Sequence, residues 1–185
     1  MPEARARWRT LANLFTLLRL AAAPCLALAV GRGATWAAGV LFWSAVASDF
    51  ADGRIARRRG EASSLGGLLD HATDATFVSL GLFAFAWKDV MSVLLPILIV
   101  LAFAQYTVDS RALRGRPLRT SRLGRWNGIF YFVLLGTPIT RDLLGLPWPG
   151  DALVSASAWI LVGTTLASMV DRALALVALR KHSAP

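Results

Sequence analysis

The chain has 185 residues, of which 56% are hydrophobic and only 17% are charged, and its formal net charge is +9. This length is typical of one domain, and so apolar a composition argues against intrinsic disorder. A basic excess can indicate nucleic-acid binding, but the uncharged runs 90–108 and 152–170 are foreign to nucleic-acid-binding domains. Both facts favour a membrane protein close to anionic lipid, with no nucleic-acid partner.

Uncharged runs predict the helices in chain order. The first run, 11–30, is interrupted only by Arg19, and it is followed by 33–48, 75–87, 90–108, 126–140 and 152–170. A helix needs about 20 residues to cross a hydrocarbon core of about 30 Å, so several runs are too short alone. The second and third become long enough only if Asp49, Asp52, Asp70 and Asp74 lie inside helices. We predict an all-α integral membrane bundle of six transmembrane helices, preceded by a short interfacial helix at the N-terminus.

The basic residues predict the orientation of this bundle. Most of them lie near the two termini, in 54–59 and in the arginine-rich stretch 111–125, which is predicted to be a loop. The opposite side of the bundle holds Arg32, Lys88 and Arg141. Positive residues favour the cytoplasmic side, so both termini and the acid-bearing helix ends are predicted to be cytoplasmic, as in a bacterial-type inner membrane. A cleaved signal peptide ending near residue 29 is the alternative for the N-terminus.

Four aspartates fall on two neighbouring predicted helices. Helical geometry places Asp49, Asp52, Gly53 and Ala56 within an arc of about 100°, and Gly66, Asp70 and Asp74 on a second stripe. If these helices pack as an antiparallel hairpin, the four carboxylates converge just inside the cytoplasmic face. Such a cluster is costly to bury unless cations neutralise it, and oxygen ligands suit Mg²⁺ or Mn²⁺. A two-metal site flanked by small residues fits a phosphate-bearing ligand, with one carboxylate left to accept a proton.

The spacing of these residues is that of a known signature. The pattern Asp49-x2-Asp52-Gly53-x2-Ala56-Arg57-x8-Gly66-x3-Asp70-x3-Asp74 resembles the motif of the CDP-alcohol phosphotransferase family. Upstream, Asn13, Thr16 and Arg19 are similar to the N-x2-T-x2-R segment that precedes the motif in that family. The resemblance implies a single CDP-alcohol phosphatidyltransferase membrane domain over 1–185, and a homodimer.

The resemblance also implies roles for the residues. Asp49, Asp52, Asp70 and Asp74 would hold the metal ions, and Asp74 would also be the catalytic base. Gly53, Ala56, Arg57 and Gly66, together with Asn13, Thr16 and Arg19, would bind the CDP-linked lipid. Arg111, Arg119 and Arg125 are candidates for binding a phosphate of the acceptor, although these arginines also fit a role in topology alone. The alternative for Arg19 is a side chain that extends toward the cytoplasm, as buried arginines of membrane helices often do.

The implied reaction transfers a phosphatidyl group from CDP-diacylglycerol to a water-soluble alcohol and releases CMP. Glycerol 3-phosphate is the leading acceptor, with inositol phosphate, serine and phosphatidylglycerol as alternatives. His71 and Ala75 stand where many members that use glycerol 3-phosphate have Pro and Lys, and His71 is interpreted as a packed or loop-facing residue. Outside this class, a cation transporter or channel and a noncatalytic scaffold are the competing hypotheses.

Overall fold

Six helices make up the part of the chain that the structure, a computed structural model, describes. Its backbone is described over 11–59, 64–109 and 122–181, and its side chains over 16–50, 66–108 and 122–175. The helices are α1 (Leu11–Gly31), α2 (Thr35–Arg59), α3 (Ser64–Trp87), α4 (Leu94–Asp109), α5 (Arg122–Leu144) and α6 (Asp151–Lys181). These ranges contain no strand, so the all-α prediction is confirmed. The predicted N-terminal interfacial helix falls in 1–10, outside the described residues.

The four aspartates lie inside helices, as their positions predicted. Asp49 and Asp52 belong to α2, and Asp70 and Asp74 belong to α3. By length and hydropathy, one segment of the described residues, Asp151–Ala175, is suited to span a membrane, while Thr16–Gly31 and Leu94–Val108 are shorter apolar helices. The acids lower the hydropathy of α2 and α3. The number of helices is therefore confirmed, and six membrane crossings stay a prediction.

Helix α1 lies between the two acid-bearing helices. It packs along both α2 and α3, which barely contact each other over the described residues. A direct α2–α3 hairpin, the arrangement considered from the sequence, is therefore not what brings the acids together. The buried face of α1 carries Thr16, Arg19, Ala23 and Leu26, which recur at the three- and four-residue intervals of one helix face.

The remaining helices close the bundle around α3 and α5. Helix α4 packs on α3 and α6, and α5 packs on α6, α2 and α3. Close approach depends on glycine: a Cβ at Gly136 of α5 would lie 2.6 Å from the Phe42 ring of α2. A Cβ at Gly81 of α3 would lie 2.7 Å from Leu135. Small residues at such crossings let helices approach closely, as is typical of helices packed in membranes.

Large apolar side chains also cover the outside of the bundle. The exposed ones include Trp36 and Val40 on α2, Ile97 and Val100 on α4, Phe130 and Val133 on α5, and Trp159 and Ile160 on α6. A bundle that is apolar both inside and outside needs an apolar surrounding, because scattered surface leucines are normal but faces of this extent are not.

Helix α5 begins earlier than the sequence predicted. Residues 111–125 were expected to form a loop, but the helix starts at Arg122, so Arg122 and Arg125 lie in its first turn. Arginine is a good helix former and does not interrupt a helix as Gly or Pro does, which explains the difference. Arg111 and Arg119 lie outside the described residues.

At the other end of the bundle, Arg141 ties α5 to α6. Its Nε donates a hydrogen bond to Oδ1 of Asp142 at 2.8 Å, and its Nη1 donates to the Pro149 carbonyl at 3.0 Å and to Oδ1 of Asp151 at 2.5 Å. These hydrogen bonds hold the turn between α5 and α6 in place. A small cavity of about 40 Å³ lies at the same end, lined by Phe85 among others, and it is far too small for a nucleotide lipid.

Candidate active site

The side chain of Arg19 joins acids from the two helices that flank α1. Its Nη1 lies 2.9 Å from Oδ1 of Asp49 on α2. The same nitrogen donates hydrogen bonds to Oδ1 of Asp70 at 3.3 Å and to Oδ1 of Asp74 at 2.5 Å, both on α3. The Arg19 side chain is 0% exposed, so it does not extend toward the aqueous side. Three of the four predicted acids therefore meet, and a residue of α1 bridges them.

The three acids differ in their depth within the bundle. The exposed fraction of the side chain is 46% for Asp49, 38% for Asp70 and 23% for Asp74. Asp70 and Asp74 are one helical turn apart and so lie on the same face of α3. Asp49 and Asp70 are therefore the more exposed acids of this cluster, and Asp74 is the most buried.

These residues provide a suitable ligand set for a divalent cation. Asp70, His71 and Asp74 each offer a ligand atom, and the three atoms lie within 4.8 Å of one another. Asp49 enters the cluster from α2 through the shared Arg19 nitrogen. One guanidinium cannot balance three carboxylates, so negative charge is left for a further cation, and carboxylate oxygens favour Mg²⁺ or Mn²⁺.

His71 stands beside the acids, as its position between Asp70 and Asp74 in the sequence indicated. It is exposed, and its ring meets that of Tyr106 on α4 edge to face at 5.8 Å between centroids. It is neither in a loop nor in the core, because it stands on α3 next to Asp70. The contact with Tyr106 fixes one face of its ring beside the acids.

A second polar group, on α4 and α6, was missed by the sequence reasoning. Nε2 of Gln105 donates a hydrogen bond to the Met169 carbonyl at 2.9 Å, and the guanidinium of Arg172 lies 4.7 Å from the centre of the Tyr106 ring. Oε1 of Gln105 and Oη of Tyr106 are buried without a hydrogen-bond partner among the described residues. The signal available was a Gln-Tyr pair within an otherwise apolar run, which is costly to bury without a purpose.

The structure places only some of the other predicted binding residues. Thr16 is buried on α1 one turn before Arg19, and Gly66 lies one turn before Asp70 on α3. Arg125 is exposed in the first turn of α5. The side chains of the remaining candidates in α1 and α2 lie outside the described residues: Asn13, Asp52, Gly53, Ala56 and Arg57.

The family follows from a match over most of the chain. The family model for CDP-alcohol phosphatidyltransferase matches residues 9–178. The chain belongs to this family. The identification made from the motif is thereby confirmed, and membership argues against a cation transporter or channel. All four motif acids are present, which also argues against a noncatalytic scaffold. No solved structure matches the chain.

Curated relatives carry two different names. The chain is 31% identical over 179 residues to a probable phosphatidylglycerophosphate synthase of Mycobacterium tuberculosis, covering 92% of this chain and 84% of that protein. It is 31% identical over 139 residues to a cardiolipin synthase (CMP-forming) of Streptomyces coelicolor, covering 68% of this chain and 64% of the relative.

A fungal relative is similar over a part of its length. The chain is 29% identical over 178 residues to a cardiolipin synthase (CMP-forming) / mitochondrial hydrolase fusion protein of Schizosaccharomyces pombe, which covers 86% of this chain and 30% of that protein. The chain thus spans less than two thirds of the length of each of these two cardiolipin synthase relatives.

Proposed function

We propose that this protein is a membrane phosphatidyltransferase that moves the phosphatidyl group of CDP-diacylglycerol to an alcohol and releases CMP. The observation that carries the proposal is the meeting of Asp49, Asp70 and Asp74, from two helices, around the Arg19 guanidinium. An acid cluster of this kind suits the binding of a pyrophosphate through divalent cations. The family and the names of its relatives support the same reaction.

In the proposed mechanism, Asp49, Asp52, Asp70 and Asp74 would hold the divalent cations, Mg²⁺ or Mn²⁺. When bound, these ions supply neutralisation of the charge on the donor pyrophosphate. Asp74, the most buried of the three acids, accepts the proton of the acceptor hydroxyl. The hydroxyl oxygen forms a bond to the lipid-linked phosphorus, the bond from that phosphorus to CMP breaks, and its electron pair leaves with CMP.

We propose glycerol 3-phosphate as the acceptor, which would yield phosphatidylglycerol phosphate. The relative that covers most of this chain and of its own length is named a probable phosphatidylglycerophosphate synthase, which supports this choice. The phosphate of glycerol 3-phosphate would require positively charged side chains beside the acids, and Arg111, Arg119 and Arg125 are the candidates. Phosphatidylglycerol is the second candidate, since other relatives are named cardiolipin synthases. Inositol phosphate and serine have no such support.

We also propose that all six helices cross a bacterial-type inner membrane, with the acids near the cytoplasmic face, and that the protein is a homodimer. The exposed apolar faces of the bundle support a lipid surrounding. Exposed tryptophans near helix ends, Trp36, Trp87 and Trp148, fit the aromatic belt of a membrane interface.

The test is to incubate the purified protein in detergent with CDP-diacylglycerol, Mg²⁺ or Mn²⁺, and each of the candidate alcohols. We expect CMP and a new lipid with glycerol 3-phosphate, and no product when a chelator removes the metal. Asp89→Asn is a matched control, because Asp89 is exposed in the turn between α3 and α4 and Asn tolerates its positive φ of 60°. Absence of CMP with every alcohol would overturn the proposal.

A further inference from the structure

One nitrogen of Arg19 occupies the position where three acids meet. Nη1 is 2.5 Å from Oδ1 of Asp74, 2.9 Å from Oδ1 of Asp49 and 3.3 Å from Oδ1 of Asp70. The guanidinium therefore does more than pair with one neighbour, because the same N–H group faces oxygens from both α2 and α3. Asp70 and Asp74 each also offer a carboxylate oxygen to the group that could hold a metal ion, so the guanidinium lies beside the ligand atoms of that group.

A divalent cation and Nη1 cannot both occupy the space between these oxygens. Mg²⁺ binds carboxylate oxygens at about 2.0–2.1 Å, a distance shorter than the three contacts of Nη1. An ion bound through the same oxygens would lie in contact with Nη1, and the two positive charges would repel each other at that separation. Ion and guanidinium therefore exclude each other, unless the side chain turns away.

Helix α1 cannot withdraw easily to make room. Arg19 belongs to the buried face that includes Thr16, Ala23 and Leu26, and Ala23 and Leu26 are both 0% exposed. Moving the helix would expose or disrupt this packing, so only rotation about the bonds of the arginine side chain can remove Nη1 from the acids. The guanidinium therefore stays beside the acids unless its own side chain rotates.

We propose that Arg19 is an internal counter-cation that competes with the divalent cation for Asp49, Asp70 and Asp74, and so weakens and sets the metal affinity of the site. It is a positioning residue that acts through the acids. The inference rests on the proposed function, because it assumes that these acids bind the metal. A purely structural ion pair predicts the opposite effect on substitution, since acids that lose their arginine would lose their arrangement and bind the metal less well.

The test measures Mn²⁺ binding to the full chain in detergent, without donor or acceptor. Free Mn²⁺ gives an electron paramagnetic resonance signal that disappears on binding, so a titration yields the Kd directly. We expect Arg19→Gln to lower the Kd by about tenfold or more, because removing a buried positive charge beside the ligands favours the ion. Arg141→Gln is the matched control, since it removes one positive charge at the opposite end of the bundle. Its Kd should stay within about twofold of the wild-type value, because solvent and distance screen that charge.

Thermal unfolding gives a second readout that a structural role would not produce. The Arg19→Gln variant should unfold at a lower temperature than the wild type without metal, and saturating Mn²⁺ should raise its Tm by more than it raises that of the wild type. If Arg19→Gln does not fold, Arg19→Lys replaces it. Lysine carries a single ammonium in place of the guanidinium fork. The Arg19→Lys variant should therefore still bind Mn²⁺ more tightly than the wild type, by a smaller factor.

The outcomes separate the two proposals. Wild-type protein that binds Mn²⁺, with Arg19 variants that bind it equally or more weakly, overturns the competition and leaves the metal site intact. Failure of both the wild type and Arg19→Gln to bind Mn²⁺ overturns the metal role of the acids and, with it, this inference.

Discussion

Replacing Asp74 by asparagine separates the chemistry of the site from its architecture. Asparagine has nearly the same shape and keeps an oxygen that accepts a hydrogen bond from Arg19, which lies 2.5 Å away in the native protein. It cannot accept a proton from an attacking hydroxyl. Loss of a positioned general base lowers rates by about 10²–10⁴-fold, so we expect CMP release to fall by at least about a hundredfold.

The same substitution should change stability little. The contact with Arg19 changes from an ion pair to a hydrogen bond between a charged donor and a neutral acceptor, which costs about 1 kcal/mol. Asp74 is 23% exposed, so solvent screens part of this loss, and the repulsion between Asp74 and Asp70 disappears. A net change of about 1 kcal/mol corresponds to about 2–4 °C in Tm for a chain of this size.

The assay combines CMP release, binding of CDP-diacylglycerol and thermal unfolding for Asp74→Asn, with Asp89→Asn as the control. We expect the Asp74 variant to fold and bind the donor while its turnover is lost, and the control to resemble the wild type in all three measurements. Turnover close to normal in a variant that binds the donor would remove the base assignment. Loss of donor binding together with turnover would assign Asp74 to ligand binding instead.

Four further substitutions test other parts of the structure. Gly66→Leu should block donor binding by filling space one turn before Asp70 on α3, and unchanged affinity for CDP-diacylglycerol would refute a donor contact at Gly66. Gly136→Ala should destabilise the bundle by about 1–3 kcal/mol, because its Cβ would lie 2.6 Å from the Phe42 ring. Gly163→Ala, with nothing within 4 Å of its Cβ, should instead stabilise α6 by up to about 1 kcal/mol in chemical denaturation, and a similar loss in both variants would refute the packing explanation. Arg125→Gln should raise the KM for glycerol 3-phosphate several-fold with less effect on kcat, and an unchanged KM would exclude Arg125 from acceptor binding.

Helical periodicity predicted the acid cluster because it concerns residues close together in the sequence. Asp70 and Asp74 are one turn apart, so the sequence fixes their common face once α3 is helical. The prediction that acids must lie inside helices came from the length a membrane helix needs, and α2 and α3 agree with it. The number of helices in the bundle was predicted from the six uncharged runs of the sequence.

The partners of the acids could not be predicted in this way. Arg19 lies in the first half of α1 and Asp49 in the second half of α2. They are far apart in the sequence, and no local pattern indicates that α1 packs between α2 and α3. Proximity in the sequence instead favoured a direct contact of α2 with α3, which the described residues do not show. The ring contact of His71 could not be predicted for the same reason, because its neighbour Tyr106 comes from α4.

The position of α1 explains how three acids can lie close together in one site. Acids on directly packed helices would face each other across a narrow gap, and their repulsion would separate the helices or favour protonation. With α1 between α2 and α3, the acids instead approach the Arg19 guanidinium from two sides. The ion pairs with this guanidinium then hold the three helices together. The two acids nearer the opening, Asp49 and Asp70, are then accessible to a charged headgroup, while Asp74 lies deeper, where fewer waters can take the place of an acceptor hydroxyl. This difference in depth fits the proposed roles, in which all of these acids bind the metal ions and Asp74 alone also accepts the proton.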